Sequence, residues 1–314
     1  MHQTTGNWKL GFLLALSTAM LWGVLPIALK LLLDAMDAYT ITWYRFLAAA
    51  IILGLFIARR GELPGFKQLG EYGWRLMLIA VLGLTGNYLF YLLGLDFISP
   101  GAAQVVIQLA PMLLLLGGLL IFGERFARMQ WLGFAMLLAG MALFFNHRLT
   151  QIFSGLGEYT IGIIFIVIAS VTWAGYALAQ KQLLGKLASE QIMLAIYVAG
   201  ALIFFPAAEP VSILSLNAFG LALLVFATLN TLLAYGAFAE ALDHWEASRV
   251  SAVLSITPLL TLLFMYLIST VTTLVQAEPV NMLSIGGALM VAGGSMLTAL
   301  GGRRKLKLDG SAGN

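Results

Sequence analysis

Apolar stretches of about bilayer length, separated by short polar segments, follow one another along almost the whole chain. A helix that crosses a bilayer needs ~20 mainly apolar residues. The sequence contains ten such stretches, numbered here as spans one to ten: 10–33, 39–57, 76–95, 101–122, 130–145, 161–181, 192–208, 218–239, 250–275 and 282–300. The pattern predicts an all-α integral membrane protein with ten transmembrane helices. Spans five and seven have the shortest apolar cores, so a nine-span chain stays open as the alternative.

Basic residues test this count, because they concentrate on the cytoplasmic side of membrane proteins. If the N-terminus is cytoplasmic, most of the 17 lysines and arginines lie on the cytoplasmic side. Arg148 alone falls in an outer loop, and Lys30 and Arg45 lie within or beside spans. The distribution predicts a multi-pass protein with both ends inside, namely the N-terminus at 1–9 and a basic cytoplasmic tail at 301–314.

Short motifs of the first half recur in the same order in the second half. Trp22 and Lys30 recur as Trp173 and Lys181 with the same spacing. Further matched pairs are Tyr88 with Tyr235, Asp96 with Asp243, Pro111 with Pro258, and Gly140 with Gly294. Because each half holds an odd number of spans, the second copy enters the membrane from the opposite side. The sequence therefore predicts two inverted five-helix repeats, at 10–145 and 161–300, joined by a linker at 146–160.

The order of these motifs resembles the EamA-type transporters of the drug/metabolite transporter superfamily. The likeness covers about residues 10–300 and rests on Trp22-Gly23 before Lys30, on Arg45, on Leu95-Asp96 before Pro111, and on Glu124-Arg125 before Gly133 and Gly140. The resemblance implies export or exchange of small metabolites such as amino acids. It also implies a central cavity lined mainly by spans one, three, four, six, eight and nine. The second copy has Ile196, and not an arginine, at the position equivalent to Arg45.

Composition excludes a water-soluble globular protein. Of the 314 residues, 61% are hydrophobic and only 10% are charged, which leaves too few polar side chains to cover a soluble domain. The chain has no cysteine, so disulfides and thiolate metal sites are excluded. The net charge is only +3. Nucleic-acid binding would require a basic patch on a folded polar surface, which this composition does not indicate. We expect the lipid bilayer and a small-molecule substrate as partners, with no nucleic acid and no cofactor.

Polar and aromatic side chains inside the spans are the candidates for solute binding. A polar side chain in a bilayer is unfavourable unless it faces a partner or a wet cavity, and rings with polar tips suit amphipathic solutes. The candidate substrate-binding residues are Trp22, Asn87, Tyr88, Tyr91, Gln104, Gln108, Trp173, Tyr176, Asn230, Tyr235, Ser251 and Ser255. Pro111 and Pro258 predict kinks in spans four and nine. The alternative interpretation of these residues is packing and hydrogen bonding between helices.

Charged residues near the span ends are candidate gates. The expected outer cluster is Lys30, Arg45 and Asp96, and the expected inner cluster is Lys181, Asp243 and Arg249. The two clusters would form and break in alternation, or would attract a solute carboxylate. Snorkelling of long side chains to the lipid headgroups is the alternative for the lysines.

The central parts of the spans contain no aspartate or glutamate, which disfavours proton coupling through a midplane carboxylate. An uncharged centre also disfavours nucleotide sugars and sugar phosphates, and favours neutral, zwitterionic or aromatic solutes. No histidine lies at a span centre, so neither a metal site nor catalytic machinery is indicated. We predict a secondary-active or exchange transporter of the cell (inner) membrane that exports small organic metabolites. A narrow-pore channel and, after it, an integral-membrane enzyme are the alternatives.

Glycine pairs in span ten allow a neighbouring helix to approach closely. Gly286-Gly287 and Gly293-Gly294 repeat every seven residues. We interpret this stripe as packing within the monomer, with a homodimer contact as the alternative.

Overall fold

The computed structural model describes residues 5–62, 64–66, 69–123 and 126–301. The Glu124-Arg125 motif and the basic tail after Gly301 lie outside the described residues. In the described part, the α-helices are α1 (Trp8–Leu33), α2 (Ala38–Arg60), α3 (Gly70–Phe97), α4 (Pro100–Val106), α5 (Leu109–Phe122), α6 (Arg128–Phe144), α7 (Leu149–Phe153), α8 (Glu158–Leu183), α9 (Ser189–Phe204), α10 (Ala218–His244), α11 (Ala247–Leu254), α12 (Thr257–Ser269) and α13 (Met282–Gly301). Short 3₁₀ helices at Phe205–Ala207 and Pro210–Ser215 connect α9 to α10.

Local interactions define the helix ends. The Asp37 carboxylate accepts hydrogen bonds from the first backbone N–H groups of α2, at 2.9 and 3.0 Å. The Asn217 side chain caps α10 in the same way at 2.8 Å. Gly61 ends α2 with a φ of 70°, in the left-handed region that glycine enters without steric cost. These side chains satisfy groups that a helix end leaves unpaired.

The described residues form nine helical segments that are long and apolar enough to cross a bilayer, with α4–α5 and α11–α12 each counted as one. The fifth span, α6, has 17 residues and is about 25 Å long at 1.5 Å per residue. It packs along α13 and completes the bundle. The predicted ten-helix architecture is therefore confirmed, with α6 as the short member.

The two described chain ends lie at the same end of the bundle. Phe12 near the start of α1 and Leu300 near the end of α13 line one apolar crevice. The backbone N–H of Thr5 donates to the carbonyl of Asp243, at the end of α10, at 3.0 Å. We call this end of the bundle the terminal face and the opposite end the far face.

The most extensive helix contacts are symmetric: when each helix is replaced by its counterpart in the other half, the same pairs of helices pack together. In chain order, the counterparts are α1 and α8, α2 and α9, α3 and α10, α4–α5 and α11–α12, and α6 and α13. The α1 helix packs on α10, and the exchanged pair, α8 and α3, packs in the same way. The α2 and α9 helices pack on each other, as do α6 and α13. These counterparts run antiparallel, since Gly54 of α2 faces Leu194 of α9 whereas Phe46 faces Gly200. The second half is therefore inverted relative to the first, as predicted.

Spans four and nine are interrupted at equivalent places, just before their prolines. Proline has no backbone N–H, so it cannot donate to the carbonyl four residues earlier. For Pro258 that carbonyl belongs to Leu254, where α11 ends, and the Thr257 hydroxyl donates to it at 2.6 Å. For Pro111 it belongs to Ile107, and the N–H of Ala110 donates to it at 2.9 Å.

One sequence-based boundary needs correction, and the linker contains a short helix. The predicted linker at 146–160 contains the short helix α7. Span nine was predicted to continue to residue 275, but α12 ends at Ser269. Residues 270–281 connect α12 to α13, and this connection is seven residues longer than the one between α5 and α6 in the first repeat.

The α6–α13 pair depends on glycine. A Cβ atom at Gly287 would lie 2.6 Å from the carbonyl oxygen of Gly140, and one at Gly294 would lie 2.6 Å from that of Gly133. Neither space can hold a methyl group, because the atoms in the way are backbone. By contrast, Gly286 has no neighbour within 4 Å of its Cβ position. Packing within the monomer therefore accounts for Gly287 and Gly294.

We expect Gly287→Ala to force α6 and α13 apart. Gly286→Ala is the matched control one residue away, and we expect it to leave the packing intact. Overpacking of this kind costs about 1–3 kcal/mol. Thermal unfolding of the purified proteins in detergent measures the difference. Equal unfolding temperatures for the two variants would show that the close approach of α6 and α13 contributes nothing to stability.

Candidate solute-binding centre

Aromatic and polar side chains from both halves meet inside the bundle, on α1, α2, α3, α8, α9 and α10. The ring centroids of Trp22 and Tyr235 are 5.4 Å apart. The Tyr88 hydroxyl lies within reach of Thr231 and Tyr235, and Tyr235 lies beside Trp173. We call this set the central cluster; it consists of Trp22, Arg45, Tyr88, Tyr91, Trp173, Tyr176, Tyr197, Thr231 and Tyr235.

Arg45 belongs to this cluster and not to an outer gate. Its side chain is 5% exposed, its Nε donates to the Thr231 hydroxyl at 3.2 Å, and its guanidinium carbon lies 4.4 Å from the centroid of the Tyr88 ring. One helical turn away on either side, Ile41 and Ala49 are fully buried, so α2 turns this face inward. The expectation of an outer cluster containing Arg45 is therefore wrong, and so is that of an uncharged centre.

Lys30 and the end of α3 do meet near the far face. The Lys30 ammonium donates to the carbonyls of Leu95 and Asp96, at 2.8 and 2.6 Å. Carbonyls in the last turn of a helix lack intrahelical donors and attract cations. A cavity of about 490 Å³ opens beside this contact and is lined by acidic side chains that include Asp96 and Glu209.

The expected inner cluster lies at the terminal face. Lys181, Asp243 and Arg249 are all exposed there. Arg249 forms an ion pair with Glu246 at 3.7 Å and lies 5.9 Å from the centroid of the Trp245 ring.

The amide side chains hold helices together. The Asn87 amide donates to the carbonyl of Ala169 on α8, and the Asn230 amide donates to that of Leu21 on α1, both at 2.9 Å. These two contacts link the helix pairs that exchange under the pseudo-symmetry. Within the described part of the chain, the Oδ1 atom of Asn230 is buried and has no hydrogen-bond partner.

Gln104 and Gln108 do not share a helical face as their spacing predicted, because α4 ends between them. Gln104 donates to the Trp22 carbonyl at 2.8 Å. Gln108 accepts a hydrogen bond from Ser295 on α13 at 3.2 Å. Both are buried, and their contacts fit the alternative of hydrogen bonding between helices.

Three further candidates, Ser251, Ser255 and Tyr176, lie outside the centre of the cluster. The Ser255 hydroxyl donates to the Ser251 carbonyl of its own helix at 2.9 Å, and the side chain of Ser251 is exposed. The structure thus places neither serine in the central cluster. The Tyr176 hydroxyl contacts the Met193 sulfur at 3.2 Å, at the edge of the cluster.

Tyr197 and Thr231 were not predicted as site residues. Tyr197 is 1% exposed and lies near Tyr88, Tyr235 and Arg45. In the sequence, Tyr197 directly follows Ile196, the residue equivalent to Arg45. It is also an aromatic residue with a polar hydroxyl inside a span, which is the pattern used to select the other candidates. That signal was available in the sequence. Thr231 is a small hydroxyl residue of a common type, and nothing in the sequence distinguishes it from other threonines in the spans.

Glu278 lies outside the spans, in the segment between α12 and α13. Its carboxylate contacts the Ser99 hydroxyl and covers the first turn of α4, since a Cβ at Gly101 would meet its Oε2 at 2.9 Å. Burial raises the pKa of Glu278, and the hydrogen bond from Ser99 and the charges of Arg148 and His147 oppose this rise. The contact agrees with a role in anchoring a helix end.

Comparison with known proteins identifies the relatives of this chain. The EamA-like transporter family matches residues 9–146 and 160–300. The "Uncharacterized inner membrane transporter YhbE" of Escherichia coli (strain K12) is 42% identical over 305 residues, which cover 96% of this chain and 94% of that protein. An "Uncharacterized transporter" of Haemophilus influenzae is 41% identical over 293 residues, with coverage of 93% and 95%. A crystal structure with 21% identity and a TM-score of 0.58, covering 96% of this chain and 99% of its own, has the same fold.

The buried carboxyl of Glu278 gives a pH dependence to stability. A carboxyl whose pKa is raised on folding binds more protons in the folded than in the unfolded state, so folding stability decreases as the pH rises from 4.5 through the folded-state pKa. Glu278→Gln cannot ionise. We expect its unfolding temperature to exceed that of the unmodified protein by a margin that grows over this pH range.

Differential scanning fluorimetry of the purified protein from pH 4 to 8 measures this margin. Glu190→Gln is the control, because Glu190 is an exposed carboxylate at the start of α9. A difference between Glu278→Gln and the unmodified protein that does not change with pH would contradict the assignment.

Proposed function

The chain belongs to the EamA-like transporter family, and from this premise we propose that it exports small amino-acid-like, neutral or aromatic amphipathic solutes by alternating access. Its family and its inner-membrane relatives make it a multi-pass transporter of the inner membrane and not an enzyme. The observation that carries the proposal is the central cluster, in which side chains from both inverted halves converge inside the bundle.

The composition of the central cluster supports an amphipathic solute. Trp22 and Trp173 occupy equivalent positions of the two repeats, as do Tyr88 and Tyr235. Ring faces bind apolar parts of a solute, and hydroxyl and indole N–H groups supply single hydrogen bonds. In inverted-repeat transporters the solute site lies at the interface of the repeats, which is where these rings meet.

The orientation follows from charge. The terminal face carries most of the described basic residues, among them Lys9, Arg59, Arg60, Arg75, Arg128, Lys186 and Arg249, whereas Arg148 lies at the far face. Basic residues concentrate on the cytoplasmic side. We therefore assign the terminal face to the cytoplasm, which places both chain ends inside and makes export a movement from the terminal to the far face.

The contact between Lys30 and the end of α3 acts as the outer gate in this proposal. It holds α1 against α3 near the far face, and α1 packs on α3 along this region. The exchanged pair, α8 and α10, is not closely packed in the described part of the chain. By the pseudo-symmetry, Lys181 and the end of α10 around Asp243 form the inner gate when the protein opens to the far face.

Counterflow in proteoliposomes tests the proposed function. Purified protein is reconstituted, the vesicles are loaded with one unlabelled solute, and uptake of the same labelled solute is followed for neutral amino acids, aromatic compounds and organic cations. A carrier gives saturable uptake that the internal solute stimulates, whereas a channel gives flux that stays linear with concentration. Linear flux, or no transport of any solute in the panel, would reject the proposal.

We expect Lys30→Gln to lower the counterflow rate about tenfold, since a hydrogen bond to a charged group contributes roughly 1.5–3 kcal/mol. Lys186→Gln is the matched control: Lys186 also donates to a backbone carbonyl, that of Leu69 at 2.6 Å, but at the terminal face and away from α1. Counterflow at equal reconstituted protein is the measurement. An unchanged rate in Lys30→Gln would mean that Lys30 only reaches for the membrane surface.

A further inference from the structure

The central cluster contains a buried cation. The Arg45 side chain is 5% exposed, and the guanidinium group of arginine is a cation. Removing a guanidinium from water is strongly unfavourable unless an anion or several good acceptors compensate. A residue of this kind inside a membrane protein therefore indicates a partner of opposite charge.

The described residues do not supply that partner. The Thr231 hydroxyl, which accepts from Nε, and the face of the Tyr88 ring are the contacts of the Arg45 side chain. Both groups are uncharged. Among the described residues, no carboxylate forms an ion pair with Arg45, and no side chain or carbonyl accepts a hydrogen bond from its Nη1 or Nη2. Two donor-bearing nitrogens of the guanidinium thus remain for a ligand.

The geometry favours one ligand chemistry. Thr231 holds Nε and the Tyr88 ring lies against the guanidinium, so Nη1 and Nη2 are left to form a fork. Arginine forks bind carboxylates through two parallel hydrogen bonds. In the described chain, Arg45 is also the one cation of the central cluster. The site can therefore neutralise one negative charge on a bound solute. A sugar phosphate or nucleotide, with more negative charge, would require further cations.

We infer that Arg45 binds the carboxylate of the transported solute, and that the solute is a monocarboxylate or a zwitterionic amino acid whose apolar or aromatic part contacts the surrounding rings. This inference rests on the proposed function and specifies its substrate class. Arg45 and Tyr88 come from the first half and Thr231 from the second, so a bound carboxylate would contact a site that both halves build. Thr231 and Tyr88 are positioning residues in this arrangement.

A set of four related probes tests the inference on the purified protein in detergent. The compounds 3-phenylpropionate and L-phenylalanine carry a carboxylate, whereas L-phenylalaninamide and phenethylamine lack it. Quenching of tryptophan fluorescence, which Trp22 and Trp173 of the central cluster report, and the shift in unfolding temperature measure binding. We expect both carboxylates to bind at least about tenfold more tightly than the amide and the amine.

Variants assign this preference to Arg45. Arg45→Gln is expected to bind the acid and the amide equally, and Arg45→Lys to keep a reduced preference, because a lysine has the charge but not the fork. Arg75→Gln, on an exposed residue of α3, is the control and keeps the full preference. If Arg45→Gln does not fold, Thr231→Val retains the arginine but not its Nε acceptor, and a several-fold loss of preference is expected.

The outcomes separate this inference from the proposed function. Amide and amine probes that bind as tightly as the carboxylates would overturn the carboxylate site and leave a transporter of neutral or cationic solutes standing. The same holds if no carboxylate probe binds at all, or if Arg45→Gln retains the full preference. Carboxylates that bind through Arg45 but are not moved in counterflow would instead leave the site standing and reject the transport of this class.

Discussion

In the core of a bilayer no water is present to pair with polar groups, so a polar group is favourable there only where the protein or a wet cavity supplies its partner. This requirement explains why the described chain is helical almost throughout and why its amides bond to main-chain carbonyls. Asn87, Asn230 and Gln104 each donate to a carbonyl of a neighbouring helix. Where proline removes a backbone donor, a threonine hydroxyl or a tightened turn takes its place. The polar residues of the spans are thus used first for structure.

Lipid gives little driving force for helices to associate, so close packing has to come from small residues. Glycine supplies it in two antiparallel helix pairs of the described chain. Gly83 and Gly94 let α3 approach α8, and Gly287 and Gly294 let α6 approach α13, with backbone atoms less than 3 Å from the Cβ positions. Antiparallel pairs of this kind are rigid. In the proposed alternating access, the looser contact between α1 and α3 that Lys30 secures is therefore the one that opens and closes.

The sequence predicts the fold well because its signals are local. These signals are the length of each apolar stretch and the spacing from tryptophan to lysine in both repeats. They do not depend on how the helices pack, and so the ten spans and the inverted repeat are confirmed. The site is harder to predict, because it depends on helix rotation and on breaks. The i and i+4 spacing places Gln104 and Gln108 together only in a continuous helix, and α4 ends between them. Arg45 lies near one end of its span in the sequence, yet the buried face of α2 carries it inward.

The different environments of the two intramembrane cations indicate different tasks. Lys30 bonds to carbonyls at the end of α3, and this contact joins α1 to α3. Arg45 instead lies among rings and hydroxyls that cannot neutralise it. A cation held by helix carbonyls suits a gate, because breaking the contact returns both partners to a wet surface. A cation surrounded by uncharged groups suits a ligand site, because only an arriving anion completes it. The separation of these two residues, which the sequence had grouped together, supports the proposed gate at the far face and the proposed binding centre around Arg45.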